Sequence, residues 1–323
     1  MADFDIVALG EPLVELNQTH KGQLQYLQGF GGDTSNAVIA AARQGARCAY
    51  LTRVGNDAFG AQFLDLWQSE GVDTTGVQTD DDAHTGLYFV QHGPDGHAFS
   101  YLRRGSAASL MNPALLQSGV IERSRFLHVS GISMAISTSA CDTVFAAIAR
   151  AHAAGAQVSL DSNLRLRLWP VDRARAVLRE AMREADVFLP SMDDMQHLTG
   201  NDDPERTLDW IRDGGAAGVV VLKLGKDGSI IDDGRTRTPV AALRVDAVDA
   251  TGAGDCFAGS LLARRCQGDS WEDAVRYANA AAALSTLGYG AVDPLPRAEQ
   301  VLERLKLLAG WAASGPGRDL GDG

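Results

Sequence analysis

The sequence predicts an α/β fold: a mostly parallel sheet with helices on both faces and a small β appendage. Three observations carry that prediction. Short apolar runs at 6–9, 126–129, 158–160, 187–189 and 219–222 recur along the chain and read as buried strands. Helical patterns separate most of them, which implies right-handed βαβ units. Two segments, 13–28 and 85–103, break that rhythm and read as β structure with no intervening helix.

Taken in order, residues 6–9 form a strand that ends at Gly10. A helix over 34–44 follows, with Asp33 or Thr34 as N-cap and Gly45 as stop. A strand over 48–54 and a helix over 57–70, closed by Gly71, come next. Residues 85–91 and 98–103 pair across His92-Gly93-Pro94-Asp95-Gly96. Helices are expected over 137–153, 171–183 and, with breaks, 192–213; a strand over 243–248 precedes an apolar helix from Cys256. The body then comprises 1–12, 29–84 and 104–313, with 13–28 and 85–103 as an appended sheet and 314–323 as a flexible polar tail. So small a sheet packs on a ligand cleft or a second subunit; the plainer alternative is an edge extension of the main sheet.

Composition narrows the function. The 323 residues carry 29 Lys and Arg against 41 Asp and Glu, a net charge of −12, which argues against nucleic acid as a partner. The 35 glycines beside only 10 prolines suggest tight turns and close backbone approaches. No apolar run reaches the ~18 residues of a membrane helix, and the opening Met1-Ala2-Asp3-Phe4-Asp5 lacks the character of a signal peptide. Cys48, Cys141, Cys256 and Cys266 form no CxxC pair, so a reduced, cytoplasmic setting is expected.

Three motifs carry chemistry. In Asp249-Ala250-Thr251-Gly252-Ala253-Gly254-Asp255, small residues let backbone N–H groups converge at a helix N-terminus, where the dipole favours an anion. A carboxylate in such a place makes sense if Asp255 takes a proton from a hydroxyl attacking a phosphate; the plain reading of an Asp at a helix start is a cap. Lys223-Leu224-Gly225-Lys226-Asp227-Gly228 follows a strand and could admit a nucleotide, or be a simple hairpin turn. The chain has no GxxxxGK[ST] loop and no dinucleotide fingerprint. In Gly29-Phe30-Gly31-Gly32-Asp33-Thr34-Ser35-Asn36, the glycines permit close approach, and Asp33 and Asn36 can hydrogen-bond a polyol.

These motifs, in this order, resemble the ribokinase-like (PfkB) family of carbohydrate kinases over about residues 4–300. The resemblance implies a three-layer α/β/α sandwich with a β lid and a sugar kinase using ATP and Mg²⁺, with a monovalent cation possible. It implies an anion hole at Gly252, Ala253 and Gly254, with Asp255 as base. Glu15, Gly31, Gly32, Asp33 and Asn36 would bind sugar; Asn163, Lys223, Gly225 and Gly228 would line ATP, with Asn279 near adenine. Asp194 alone keeps the acidic end of the family's Mg²⁺-organising motif, acting through water.

The stretches around Gly86-Leu87-Tyr88, Tyr101-Leu102-Arg103-Arg104 and Asp161-Ser162-Asn163-Leu164-Arg165-Leu166-Arg167 resemble the 2-keto-3-deoxygluconate kinase branch. Tyr88, Tyr101, Arg103 and Arg165 are the expected substrate contacts, because arginine pairs bidentately with a carboxylate. Arg104 and Arg167 are expected to face solvent or nucleotide. The expected reaction is ATP-dependent phosphorylation of a sugar acid to its 6-phosphate by a cytoplasmic homo-oligomer joined through the lid. The alternatives are a neutral-sugar kinase (fructose or ribose) and a non-catalytic sugar or nucleotide sensor.

Overall fold

The computed structural model describes residues 2–18, 22, 24–93 and 96–314. Of the expected tail at 314–323, Ser314 is instead the last residue of a helix, while 315–323 and the hairpin tip at Pro94-Asp95 lie outside the described residues. The strands are β1 (Phe4–Leu9), β2 (Leu13–Gln18), β3 (Tyr26–Gly31), β4 (Cys48–Gly55), β5 (Val72–Asp73), β6 (Val77–Asp80), β7 (Leu87–Gly93), β8 (Gly96–Leu102), β9 (Ser124–Ser130), β10 (Gln157–Asp161), β11 (Val187–Leu189), β12 (Val219–Lys223), β13 (Ser229–Asp232) and β14 (Arg237–Val240). The helices are α1 (Asp33–Arg43), α2 (Ala58–Ser69), α3 (Gly131–Ala135), α4 (Thr138–Ala154), α5 (Val171–Arg183), α6 (Met192–Thr199), α7 (Pro204–Asp213), α8 (Ala253–Gln267), α9 (Trp271–Ser285) and α10 (Ala298–Ser314).

The main sheet runs β14-β13-β12-β11-β10-β9-β1-β4-β5, with β6 also on β4. It is parallel from β12 through β5, and antiparallel at β13 and β14. Side chains of one strand alternate between two faces, and here they feed two separate cores. Val7, Leu9, Phe188, Val220 and Leu222 join the core under α4 to α7. Ile6, Ala8, Val187, Leu189 and Val221 join the core under α1, α2, α8 and α9. This is the three-layer sandwich the short apolar runs predict.

The second sheet is separate, ordered β3-β2-β7-β8, so the edge-extension alternative does not hold. Its β3 runs on through Gly31, past the expected boundary at residue 28. A small cluster of Leu13, Tyr88 and Val90 packs on Phe99 within it.

Three local expectations need correction. The N-cap of α1 is Gly32, at φ 107°, rather than Asp33 or Thr34. A Cβ at Gly32 would run into the Glu11 carbonyl oxygen, so only glycine fits, and Asp33 becomes the first helical residue. The expected strand over 243–248 is absent. Its alternating residues mimic a half-buried strand, but the segment is mostly exposed, and the Val248 and Asp249 amides donate to the Thr286 carbonyl. The chain also adds α10, for which the sequence reading assigned no element.

Candidate active site

Parallel α/β sheets present the carboxyl ends of their strands to ligands. Here Glu11, Ser191 and Ile132 follow strands β1, β11 and β9, while Asp161 and Lys223 end β10 and β12. All line one cleft of about 1250 Å³, more than the ~300–1,000 Å³ of a typical single-ligand pocket. The smaller sheet closes one side with Leu13, Tyr88, Phe99, Tyr101 and Arg103.

The two glycine-bearing helix starts meet at the cleft floor. Gly259 of α8 lies against the backbone of α1: a Cβ there would strike the Ala37 carbonyl oxygen. This close crossing brings Asn36 to Asp255, where the Asn36 Nδ2 donates to Asp255 Oδ2 at 2.8 Å. Each polar residue of the first α1 turn has its own partner. The Thr34 hydroxyl meets the Tyr50 hydroxyl at 2.9 Å, and the Trp67 indole donates to Ser35 Oγ at 2.9 Å. Asp33 Oδ2 accepts from Asn163 Nδ2 at 3.1 Å. Asp33 also accepts from the Ser130 hydroxyl and the Thr34 amide, whereas Asn36 Oδ1 is buried with no partner within the protein, an acceptor a polyol hydroxyl can meet.

Burial, then the charge of Asp33, pushes the Asp255 carboxyl up to about 8, against the opposing hydrogen bond from Asn36. Asp33 is itself raised, by burial above all. A carboxylate tuned near the working pH suits a general base.

Gly252 caps α8 at φ 74°. Ala253 donates its N–H to Ala250 O at 3.2 Å, so the three-amide hole expected at 252–254 lacks its middle member. The next two amides, of Gly254 and Asp255, stand in the helix's first turn, where no intrahelical acceptor exists. The Lys223 ammonium lies 3.6 Å from the position a Gly254 Cβ would take, and it pairs with Asp161 Oδ2 at 2.6 Å. Helix terminus and ammonium together form a cradle for an anion.

Of the residues predicted for sugar, Gly32, Asp33, Asn36, Tyr88, Tyr101, Arg103 and Arg165 line the cleft; Gly31 and Glu15 do not. Both stand behind Tyr88. The Tyr88 hydroxyl donates to Glu15, and a Cβ at Gly31 would lie 2.8 Å from that hydroxyl. Of the nucleotide set, Asn163, Lys223 and Gly225 line the cleft. Asn163, at φ 28°, has its amide on Asp33, beside the start of α1. Gly228 and Asn279 do not line it. Asn279 is buried, its carbonyl accepting from Ser229 Oγ at 2.9 Å and its amide donating to Val240 O at 3.2 Å. It braces the β13–β14 hairpin, whose tight approach also demands glycine at 228.

Asp194 lines the cleft, accepting from Ser162 Oγ at 2.6 Å. Among the described residues no group of three His, Cys, Asp or Glu side chains could hold a metal unaided. The cleft lining is nevertheless rich in carboxylates, Asp161, Asp193, Asp194, Asp202 and Asp227 among them, and Asp161 pairs with Lys223. Such a surface repels a bare polyphosphate and fits a hard divalent cation that keeps waters and shares phosphate oxygens.

Sequence reasoning missed Glu11. It is fully buried and pairs with Arg103 across the cleft wall. The signal was present in Gly10-Glu11-Pro12: a carboxylate at the end of a buried strand, at the cleft-facing edge.

The family pattern described as pfkB family carbohydrate kinase matches residues 3–298. The chain is 36% identical over 316 residues to a 2-dehydro-3-deoxygluconokinase of Thermoproteus tenax, covering 95% of this chain and 96% of that one. It is 33% identical over 319 residues to a probable fructokinase-4 of Arabidopsis thaliana, covering 93% and 96%. A crystal structure of a putative Ribokinase II from E. coli with ATP and Mg²⁺ superposes with a TM-score of 0.86 at 25% identity, over 94% of this chain and 99% of that one.

Proposed function

Because the chain belongs to the pfkB family of carbohydrate kinases, we propose that it phosphorylates 2-keto-3-deoxygluconate to its 6-phosphate, with Asp255 as general base. That it is a phosphotransferase with a hydroxyl acceptor follows from the family itself. The observation that carries the finer reading is that the guanidinium-bearing Arg103 and Arg165 line the same cleft as Asp33, Asn36 and Asp255; Arg167 lines it too, its Nη1 donating to Phe99 O of the smaller sheet at 2.9 Å. A sugar acid supplies the carboxylate that such groups recognise.

In this reading the sugar lies between the smaller sheet and the start of α1. Asp33 and Asn36 accept hydrogen bonds from its hydroxyls, and Tyr88 and Tyr101 wall it in. The 6-hydroxyl faces Asp255, which takes its proton as the oxygen attacks the γ-phosphorus of ATP. Lys223 and the Gly254 and Asp255 amides receive the growing negative charge on the phosphoryl oxygens. Positioning and electrostatics do most of the work in phosphoryl transfer. Mg²⁺ neutralises phosphate charge when bound; Asp194 would hold it through water. The smaller sheet acts as a lid over the sugar, excluding water from the reaction.

The lid also supports a dimer. Leu24, Leu27 and Leu102, in or beside it, are 92%, 69% and 54% exposed, and a symmetric partner is a common means of covering such surface. The four cysteines stand as free thiols, the state a reducing compartment maintains, and we place the enzyme in the cytoplasm on that ground.

One observation favours a neutral sugar instead: Glu11 already neutralises Arg103, and fructokinases stand among the relatives. ATP consumption with 2-keto-3-deoxygluconate, fructose, ribose or no sugar decides between them. Preference for the acid supports the proposal. Preference for fructose or ribose transfers the function to that sugar, and no sugar-dependent turnover leaves a sensor.

A further inference from the structure

We infer that Glu11 is a positioning residue for Arg103, fixing the guanidinium that selects acid over neutral sugars. The inference rests on the reading that Arg103 meets the substrate carboxylate. Glu11 has no exposed surface, and the Arg103 side chain is only 12% exposed. A buried carboxylate and a nearly buried guanidinium each pay a desolvation penalty that only a close partner offsets. The pair joins two structural units. Glu11 sits just after β1 of the main sheet, and Arg103 sits just after β8 of the smaller one.

The surroundings of the pair leave Arg103 little freedom. One Glu11 oxygen accepts from Arg103 Nη2; the other faces Ser106 Oγ at 3.4 Å. The guanidinium carbon lies 5.4 Å from the centre of the Tyr101 ring, which stacks on Tyr88 at 5.7 Å. Tyr88 in turn donates to Glu15. Two buried carboxylates thus hold the ends of an Arg–Tyr–Tyr stack that forms the cleft wall. Within that arrangement Arg103 Nε is buried with no partner, so the group retains an unmet donor after Glu11 has taken Nη2. Glycine at 86 makes room for this: a Cβ there would lie 3.4 Å from Glu11 Oε1 and 2.7 Å from Leu13 Cδ2.

The test is kinetic, on the full chain. Glu11→Gln keeps the size and an acceptor but replaces a charge-assisted hydrogen bond with a neutral one. KM for 2-keto-3-deoxygluconate should rise about fivefold, with KM for ATP and for fructose unchanged. In an Arg103→Ala background the same substitution should add nothing, because Glu11 acts through Arg103. Equal losses in both backgrounds, or equal losses for acid and neutral sugars, overturn the inference. Arg103→Ala alone separates the two levels. If it leaves KM for the acid unchanged, the carboxylate reading fails and the inference falls with it; if it raises that KM while Glu11→Gln does not, only the inference falls. Should Glu11→Gln melt below the assay temperature, Glu11→Asp, which keeps the charge but withdraws it by one methylene, gives the same comparisons.

Discussion

Removing the amide that Asn36 presents to Asp255 should move the acid limb of the pH–rate profile upward, whereas removing the charge of Asp33 should move it downward. Asp255 accepts a proton only as a carboxylate, and burial with the Asp33 charge holds its pKa up to about 8. The Asn36 Nδ2 contact at 2.8 Å opposes this by favouring the carboxylate. A hydrogen bond to a charged group contributes about 1.5–3 kcal/mol, and one pKa unit corresponds to about 1.4 kcal/mol. Asp255 lines the cleft and is only half-buried, so the lower end applies. Asn36→Ala should therefore raise the limb by about one unit. Asp33→Asn removes a neighbouring negative charge and should lower it. The assay is kcat/KM for the sugar across the neutral to alkaline range, because that ratio reports the free enzyme's base. ADP should be measured directly, so that no coupling enzyme contributes its own pH dependence. Shifts of both variants in the same direction, or an Asn36→Ala limb that stays in place while turnover falls, would refute the reasoning.

Other outcomes follow from the same geometry. Asp255→Asn should cost at least the ~10² in turnover expected of a general base, with ATP binding intact by calorimetry; near-native turnover removes Asp255 from that role. The same variant should melt higher at neutral pH. The folded pKa of Asp255 is raised to about 8, so stability is lost as pH climbs from the unfolded carboxylate range toward 8; an unchanged melting temperature at both acid and neutral pH would contradict the shift. Arg165→Ala should raise KM for the sugar acid about tenfold while KM for ATP and for a neutral ketose move little; equal treatment of acid and neutral sugars by this variant sinks the sugar-acid assignment. Light scattering should give a dimer, and a charged replacement such as Leu27→Glu should dissociate it; a fully active monomer at high concentration rules out the lid contact.

Much of the fold was legible because buried parallel strands read as bare apolar runs. Val187–Leu189 is read to the residue, since a run so short between two polar helical patterns fits a strand buried on both faces better than another helix. The failures have physical reasons. Residues 243–248 alternate as a strand would, but alternation specifies a face, and no neighbouring strand takes up its hydrogen bonds. Gly32 outcompetes Asp33 as the α1 cap because the Glu11 carbonyl excludes a side chain, a tertiary fact that local cap preference does not contain. The site shows the same division. Asp255, Lys223 and Asp33 lie in motifs whose glycines and helix starts announce them. Glu11 has only a position, and its meaning depends on Arg103, distant in sequence. Asn279 is polar within a helix and invites a ligand, yet its hydrogen bonds go to β13 and the end of β14.

The contact of α8 with α1 at Gly259 has a consequence for how such a protein could change its diet. With no side chain between the two helix backbones, the spacing of Asn36 and Asp255 is set by the crossing itself, and these two residues stand as one fixed fixture. Tyr88 and Tyr101 belong to a different sheet, and Arg103 directly follows its last strand. In the proposed reading, replacing them re-shapes the surface offered to the sugar while the Asn36–Asp255 spacing stays as the crossing sets it. New preferences can therefore arise by substitution on the small sheet while the chemistry is inherited unchanged.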